Sequence, residues 1–261
     1  MTLQEKLNWI KHHDNLPIKT TLTDKFKAKL WVRKTLDEKI RQHPEQLDCL
    51  GDQISGRDYV IPLLGVWNNA NEIDFDLLPE SFVLKANHGW QYNIIIHNKE
   101  TLNVIETRKQ LNHWLTIDFS SSCGELQYKN IPRRIIAEEL VLDPTNCLFY
   151  CMNGTPRYVS IVTYNSSGTY QNIYDMNFEL QPFTIQGCLC TENVKPVNFI
   201  KLKTIAQWLC GTFKFVRVDL YAVGDKVFFG EMTFSPYAMG ISIKPKEYED
   251  IFNNMLNITE Q

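Results

Sequence analysis

The sequence predicts an α+β fold of antiparallel strands with flanking helices. Three patterns carry this expectation. From Phe215 to Phe234, two runs alternate apolar and polar residues with period two around Gly224-Asp225, the pattern of a hairpin. From Leu148 to Tyr164, two further strand-like runs meet at Asn153-Gly154, a pair that favours a tight two-residue turn. Around these strands, apolar residues recur at helical spacing over 2–13, 101–117, 202–213 and 245–258.

Taken in order, Thr2 and Glu5 form a capping box for a first helix with Leu3, Leu7 and Ile10 inward and His12 and His13 at its end. A second helix begins near Thr23, its turns marked by Phe26, Leu30, Arg33 and Leu36 or Asp37. Residues 41–58, with Pro44, Gly51 and Gly56, read as loop. Val60 to Trp67 is a strand entering a turn. Phe82 to Lys85 is an apolar strand ending in lysine, followed by a turn at Gly89 and a returning strand from Tyr92 to Ile96. The helix over 101–117 turns Leu102, Ile105, Leu111, Trp114 and Leu115 inward. Ile135 to Leu142 is a strand carrying Glu138 and Glu139, which point to opposite faces. The terminal helix turns Tyr248, Ile251, Phe252 and Met255 inward.

The hairpin at 215–234 has the strongest chemical content. A three-residue loop, Gly224 to Lys226, sets Asp219 opposite Glu231 and Arg217 opposite Thr233. One face is then purely apolar: Val216, Val218, Leu220, Phe228, Met232 and Phe234. A slip by one residue would mix the faces, which is costly where one face is buried. Opposed side chains have Cβ atoms roughly 5 Å apart, and like charges there destabilise the pair. Mg²⁺ between the two carboxylates would relieve this, with Arg217 meeting phosphate oxygens. The plainer alternative is a solvated outer face of the hairpin.

Composition bounds the function. With 261 residues, 44% hydrophobic and 22% charged, the chain has room for a substantial core. A net charge of −3 gives no argument for nucleic acid or an acidic membrane as partner. No apolar run is long enough for a membrane span, and the N-terminus lacks the layout of a signal peptide. The seven cysteines then read as reduced thiols of a cytoplasmic protein; Cys188 and Cys190, like Cys147 and Cys151, lack the paired spacing of a zinc site.

Arg217-Val-Asp-Leu-Tyr221 and Gly230-Glu-Met-Thr-Phe-Ser-Pro236 resemble the metal-binding hairpin of ATP-grasp enzymes, and more narrowly that of the TupA-like (teichuronopeptide biosynthesis) ATP-grasp proteins. Asp24-Lys-Phe26, Ile61-Pro-Leu-Leu-Gly-Val66, the Lys85 to Gly89 segment, Glu125 to Arg134, Tyr174-Asp175 and Leu180 to Phe183 extend the resemblance over nearly the whole chain. It implies an N-terminal region over 1–78, a lid over 79–140 and a C-terminal subdomain over 141–261, with the nucleotide site between lid and C-terminal subdomain. It implies ATP and Mg²⁺ as cofactors. Lys25 and Lys85 would reach the phosphates beside His88 and Gly89. Glu138 or Glu139 and the backbone at Leu140 would read the adenine or ribose. Asp219, Glu231 and Thr233 would hold metal, and Lys85 and Arg217 would stabilise the transferring phosphoryl group. The chain departs from the family at Trp90-Gln-Tyr92, where relatives carry a second glycine, and at Leu148, where they often carry lysine.

The activity so implied is an ADP-forming carboxylate–amine ligation through an acyl phosphate, with a sugar acid such as a uronic acid and an amine or amino acid as partners in surface polysaccharide assembly. A glycosyltransferase and a non-catalytic nucleotide-binding module are the alternatives; no DxD-type sugar-nucleotide motif is present for the first.

Overall fold

The computed structural model describes residues 1–165, 168–186, 196 and 198–258. In chain order the helices are α1 (Leu3–His13), α2 (Pro17–Thr23), α3 (Lys25–Gln42), α4 (Leu47–Leu50), α5 (Val104–Thr116), α6 (Phe119–Cys123), α7 (Phe199–Leu209) and α8 (Glu249–Met255). The strands are β1 (Leu63–Trp67), β2 (Phe82–Ala86), β3 (Asn93–Ile96), β4 (Ile135–Glu139), β5 (Thr145–Met152), β6 (Thr155–Asn165), β7 (Gly168–Asp175), β8 (Thr184–Ile185), β9 (Phe215–Val223), β10 (Lys226–Thr233) and β11 (Ile243–Lys244). No helix among the described residues is long and apolar enough to cross a membrane.

The chain forms two units. The first gathers Met1–Asn15, Trp31–Val60 and Asp143–Gln261; the second gathers Leu16–Leu30 and Ile61–Leu142. The expected boundaries at 78/79 and 140/141 differ from this division at the N-terminal side, and strand pairing is the reason. Strand β1 pairs with β4 and so joins the sheet that the lid was expected to hold alone. Residues 31–60 instead pack on β10: the Gln53 amide donates to the Val227 carbonyl and accepts from the Val227 N–H, both at 2.7 Å, and Val60 bridges Phe229. That covers the exposed edge of an antiparallel sheet.

In the first unit, an antiparallel sheet runs in the order β10-β9-β5-β6-β7. One face buries Val216, Val218, Leu220 and Phe149 against Phe199, Leu202, Ile205 and Leu209 of α7. Each fully buried side chain of this size is worth roughly 1.5–3 kcal/mol. On the other face, Tyr150, Met152, Tyr158, Ile173 and Phe215 join Leu3, Leu7 and Ile10 of α1 and Phe252 of α8 in a second cluster. Arg217, Asp219 and Leu148 continue that same face, since Leu148 lies opposite Asp219 and Tyr150 opposite Arg217. Strands β5 and β6 join at Asn153 (φ 50°) and Gly154 (φ 73°), the left-handed pair that a type I′ turn requires.

The β9–β10 hairpin reaches the expected pairing by a different route. Its loop is two residues long, because Val223 pairs with Lys226 rather than with Val227. Gly224 takes φ 58°, the left-handed region a first loop position requires. A β-bulge between Phe229 and Glu231 then shifts the register, and beyond it Asp219 faces Glu231 and Arg217 faces Thr233. The bulge also exchanges faces, so Val227 and Phe229 are the buried residues of the first half and Phe228 is only half-buried.

In the second unit the sheet order is β1-β4-β2-β3, antiparallel throughout. Phe82, Leu84, Ala86, Ile135 and Ala137 bury one face with Leu111 of α5 and Ile73, Phe75 and Leu78 of the preceding turns. Three helical faces differ from those expected. Asn103 accepts from the Glu106 N–H at 3.1 Å and so starts α5 at Val104. The buried stripe is then Thr107 and Leu111, and Ile105 is exposed. Helix α3 buries Ala28, Lys29, Val32, Leu36 and Ile40, leaving Leu30 exposed. At the C-terminus α8 buries Phe252 while Ile251 is exposed, one position round the helix.

Candidate functional site

In the first unit the structure brings together Arg217, Asp219, Glu231 and Thr233. Arg217 grips Asp219 at two points, Nε to Oδ1 and Nη2 to Oδ2, each at 2.7 Å. The same Nη2 lies 3.4 Å from the Thr233 hydroxyl and 3.6 Å from Glu231 Oε1. Thr233 donates its hydroxyl proton to Glu231 Oε1 at 2.8 Å. The guanidinium thus stands between two carboxylates that the strand register sets face to face, and it supplies positive charge that the sequence alone assigned to a bound cation. Its Nε and Nη2 are engaged by the protein. Its Nη1 donates to no side chain among the described residues.

The electrostatics of this cluster favour more positive charge still. Burial pushes the Asp219 carboxyl up to about 7 against the pull of Arg217, and Glu231 pushes the same way as burial. Arg217 itself stays protonated; Asp219 beside it outweighs the cost of burial and holds its pKa well above the ordinary value. The donors available are hard oxygens, two carboxylates and one hydroxyl, which suits Mg²⁺ held together with substrate phosphates. Among the described residues no group of three or more His, Cys, Asp or Glu gathers for a metal; Asp219 and Glu231 are two facing carboxylates. Cys188 and Cys190 lie outside the described residues.

The segment after this strand is unusual. Tyr237, Ala238 and Met239 take φ of 55°, 52° and 69° in succession, a region that costs non-glycine residues roughly 1–2 kcal/mol each. Contacts from α1 hold the run: Gln4 donates to the Met239 carbonyl at 3.0 Å and Lys11 to that of Ala238 at 3.3 Å. The Tyr237 ring lies 6.0 Å from the Arg217 guanidinium.

In the second unit, Glu138 is buried on β4 between two lysines. Lys85 Nζ lies 2.7 Å from its Oε2 and Lys29 Nζ 3.0 Å from its Oε1. Burial alone would raise the Glu138 carboxyl, yet the two ammoniums outweigh it and hold it below its ordinary value. One carboxylate cannot neutralise two ammoniums. Lys29, the deeper one, is held below the ordinary lysine range, first by burial and then by the nearby charge of Lys85 against the pull of Glu138. The triad keeps one net positive charge and Lys85 is partly exposed, which suits a phosphate oxygen. Glu139 is exposed, and Leu140 is half-buried just past the end of β4.

Lys25 donates to the Gly89 carbonyl at 2.8 Å. His88 is buried with Nε2 3.1 Å from the Trp114 carbonyl, and burial lowers its pKa. Gly89 has a steric role: a Cβ there would come within 2.4 Å of the Tyr92 ring. Tyr92 stacks on Trp114 at 5.2 Å and meets Phe119 edge-on, while Trp90 is exposed. Two residues that lock this loop stood in the resembling motifs but were given no role there. Asp24 caps α3, accepting from the Phe26 N–H at 2.9 Å, and takes a bond of 2.8 Å from the Asn87 amide. Asn87 in turn accepts from the Arg134 N–H at 2.7 Å. Lys29 was also missed; its signal was a lysine on the Ala28, Val32, Leu36 stripe of α3.

One unit thus holds Lys85 of β2 and Lys29 of α3 on a shared buried carboxylate, and the other holds a facing acid pair with arginine. The chain belongs to the TupA-like ATPgrasp family, whose model matches residues 5–257. No curated protein matches it. Among solved structures it is similar to an N5-carboxyaminoimidazole synthase from Aspergillus clavatus in complex with ADP and 5-aminoimidazole ribonucleotide (13% identity, 82% of this chain and 44% of that chain, TM-score 0.40). It is also similar to a D-alanine–D-alanine ligase from Bacillus anthracis complexed with ATP (14%, 71% and 55%, TM-score 0.42) and to one from Helicobacter pylori (11%, 90% and 59%, TM-score 0.43). The chain thus spans about half the length of the structures it matches.

Proposed function

We propose that the chain is an ATP-dependent, ADP-forming ligase that joins a carboxylate to an amine, the carboxylate being a sugar acid such as a uronic acid in polysaccharide assembly. Family membership supports the reaction class, and the observation that carries it here is the face-to-face pair Asp219 and Glu231 with Arg217 and Thr233 in contact. Phosphoryl transfer asks the protein for placement and charge neutralisation rather than a covalent group. Asp219 and Glu231, assisted by Thr233, are the residues that would hold Mg²⁺, which when bound neutralises phosphate charge. Lys85, with Lys29 sharing its carboxylate, offers a cation to the phosphates. Arg217 offers its remaining Nη1 to the transferring group. The substrate carboxylate takes the γ-phosphoryl group as the bond to ADP breaks. The amine nitrogen then attacks the acyl carbon, phosphate leaves with its oxygen, and the amine gives its proton to solvent.

The test measures ADP release with sugar acids and amines, singly and together. A ligase releases ADP only when both are present and loses this in Asp219→Asn and in Glu231→Gln while the variants stay folded. In parallel, ATP with Mg²⁺ at about a hundred times its dissociation constant should stabilise the fold by roughly 2.7 kcal/mol. Stabilisation without turnover across a broad panel of acids and amines would leave a nucleotide-binding module and sink the ligase reading.

A further inference from the structure

We propose that the first unit carries a second binding site, for a small monoanionic carboxylate, beside β6, β7 and α7. The inference stands apart from the ligase reading. A cavity of about 460 Å³ opens there, lined among others by Arg157, Tyr158, Asp175, Lys203, Gln207 and Met255. It is distant from the hairpin acids. The cross-strand row Arg217–Tyr150–Tyr158–Asp175 places Asp175 three strands away from Arg217, about 14 Å at about 4.8 Å per strand.

Arg157 carries the argument. Its Nε is buried and has no hydrogen-bond partner, and among the described residues it pairs with no carboxylate. Arg157 lines the cavity with its charge unmatched, and a carboxylate is the ligand that a guanidinium fork meets best. Lys203 supplies a second cation; its ammonium donates to the Met176 carbonyl at 3.0 Å and keeps further N–H groups for a guest. Asp175 is committed to its own turn, its Oδ1 accepting from the N–H groups of Asn177 at 2.9 Å and Glu179 at 2.8 Å. Two cations against one carboxylate leave a single positive charge, which matches a monoanion better than a phosphate dianion. Gln207 donates through Nε2 to the Gly154 carbonyl at 2.8 Å, which leaves its oxygen to accept from a hydroxyl or amide. Met255 and the edge of Tyr158 give an apolar wall. The volume lies in the lower part of the range for small-molecule sites, room for a single sugar acid or an N-acylated amino acid.

Calorimetric titration of the full chain, without nucleotide or metal, tests this with D-glucuronate, N-acetylalanine, D-glucose and inorganic phosphate. At least one of the two carboxylates should bind more tightly than glucose and phosphate, and the tighter one identifies the source of the acid. Arg157→Gln and Lys203→Gln should each weaken binding about tenfold or more, and Asp219→Asn should leave it unchanged. Lys203 is exposed, so its replacement tests the site even if the arginine variant folds poorly. The site is refuted if neither carboxylate binds at millimolar concentration, if glucose or phosphate binds as well as the acids, if Lys203→Gln leaves the affinity intact, or if Asp219→Asn removes it.

Discussion

Glu138 is the residue on which the second unit's charge balance turns. Removing its charge leaves Lys29 buried at 4% side-chain exposure with no counterion. Breaking a buried pair in this way costs about 3–5 kcal/mol, so Glu138→Gln should lower unfolding free energy by that amount in denaturant titrations at neutral pH. Adding Lys29→Met should recover part of the loss. The pH dependence follows from the sign of the shift. The folded carboxyl titrates below its ordinary 4.5, so its stabilisation is complete above that pH and fades as pH falls through the lowered value. The stability difference between wild type and Glu138→Gln should therefore shrink below about pH 4.5; a constant difference down to pH 3 would contradict the assignment. Lys85 and Glu138 were both legible in the sequence as a lysine ending one apolar strand and an acid on another. Lys29 was not, because Phe26 and Leu30 drew the first turns of the helix face away from Ala28 and Val32. Asp24 and Asn87 act through backbone bonds, which leave no periodicity to read.

At the scale of the element, the β9–β10 hairpin sets its register twice, once in the loop and once at the bulge. The two glycines involved should respond differently to substitution. At Gly224 an added Cβ meets nothing within 4 Å, so Gly224→Ala costs only the left-handed backbone, about 1–2 kcal/mol, with the Asp219–Glu231 pair undisturbed. At Gly230 a Cβ would lie 3.0 Å from the Asp219 carbonyl oxygen and 3.1 Å from the Tyr221 ring. Gly230→Val should cost about 1–3 kcal/mol as overpacking and also weaken Mg²⁺-dependent ATP stabilisation. Equal effects of the two substitutions on nucleotide binding would argue against a register set at the bulge. The apolar alternation and the facing acids were readable because burying one face penalises a slip. Loop length was not, since a three-residue loop without a bulge and a two-residue loop with one give the same acid pair.

For the molecule as a whole, the family and the antiparallel α+β architecture were visible in the order of motifs. The division into units was less so, because residues 31–60 join the first unit through long-range bonds such as that of Gln53 to Val227. The core of that first unit also sets its thiol chemistry. Burial pushes Cys147 up to about 12 and Cys151 well above its ordinary value, whereas Cys49 is half-buried. Among the described thiols, Cys49 should label first with a thiol reagent at pH 8. Cys147, Cys151 and Cys210 should label at the rate of sheet opening, accelerating in step with denaturant; fast labelling of Cys147 in the native protein would be incompatible with this core. The left-handed run Tyr237–Met239 has a further consequence. Its conformation is upheld from the opposite end of the sequence, by Gln4 and Lys11 of α1. The opening helix is therefore a brace for the strand that bears Glu231, and loosening it would let the surroundings of that carboxylate relax while the sheet itself stays folded.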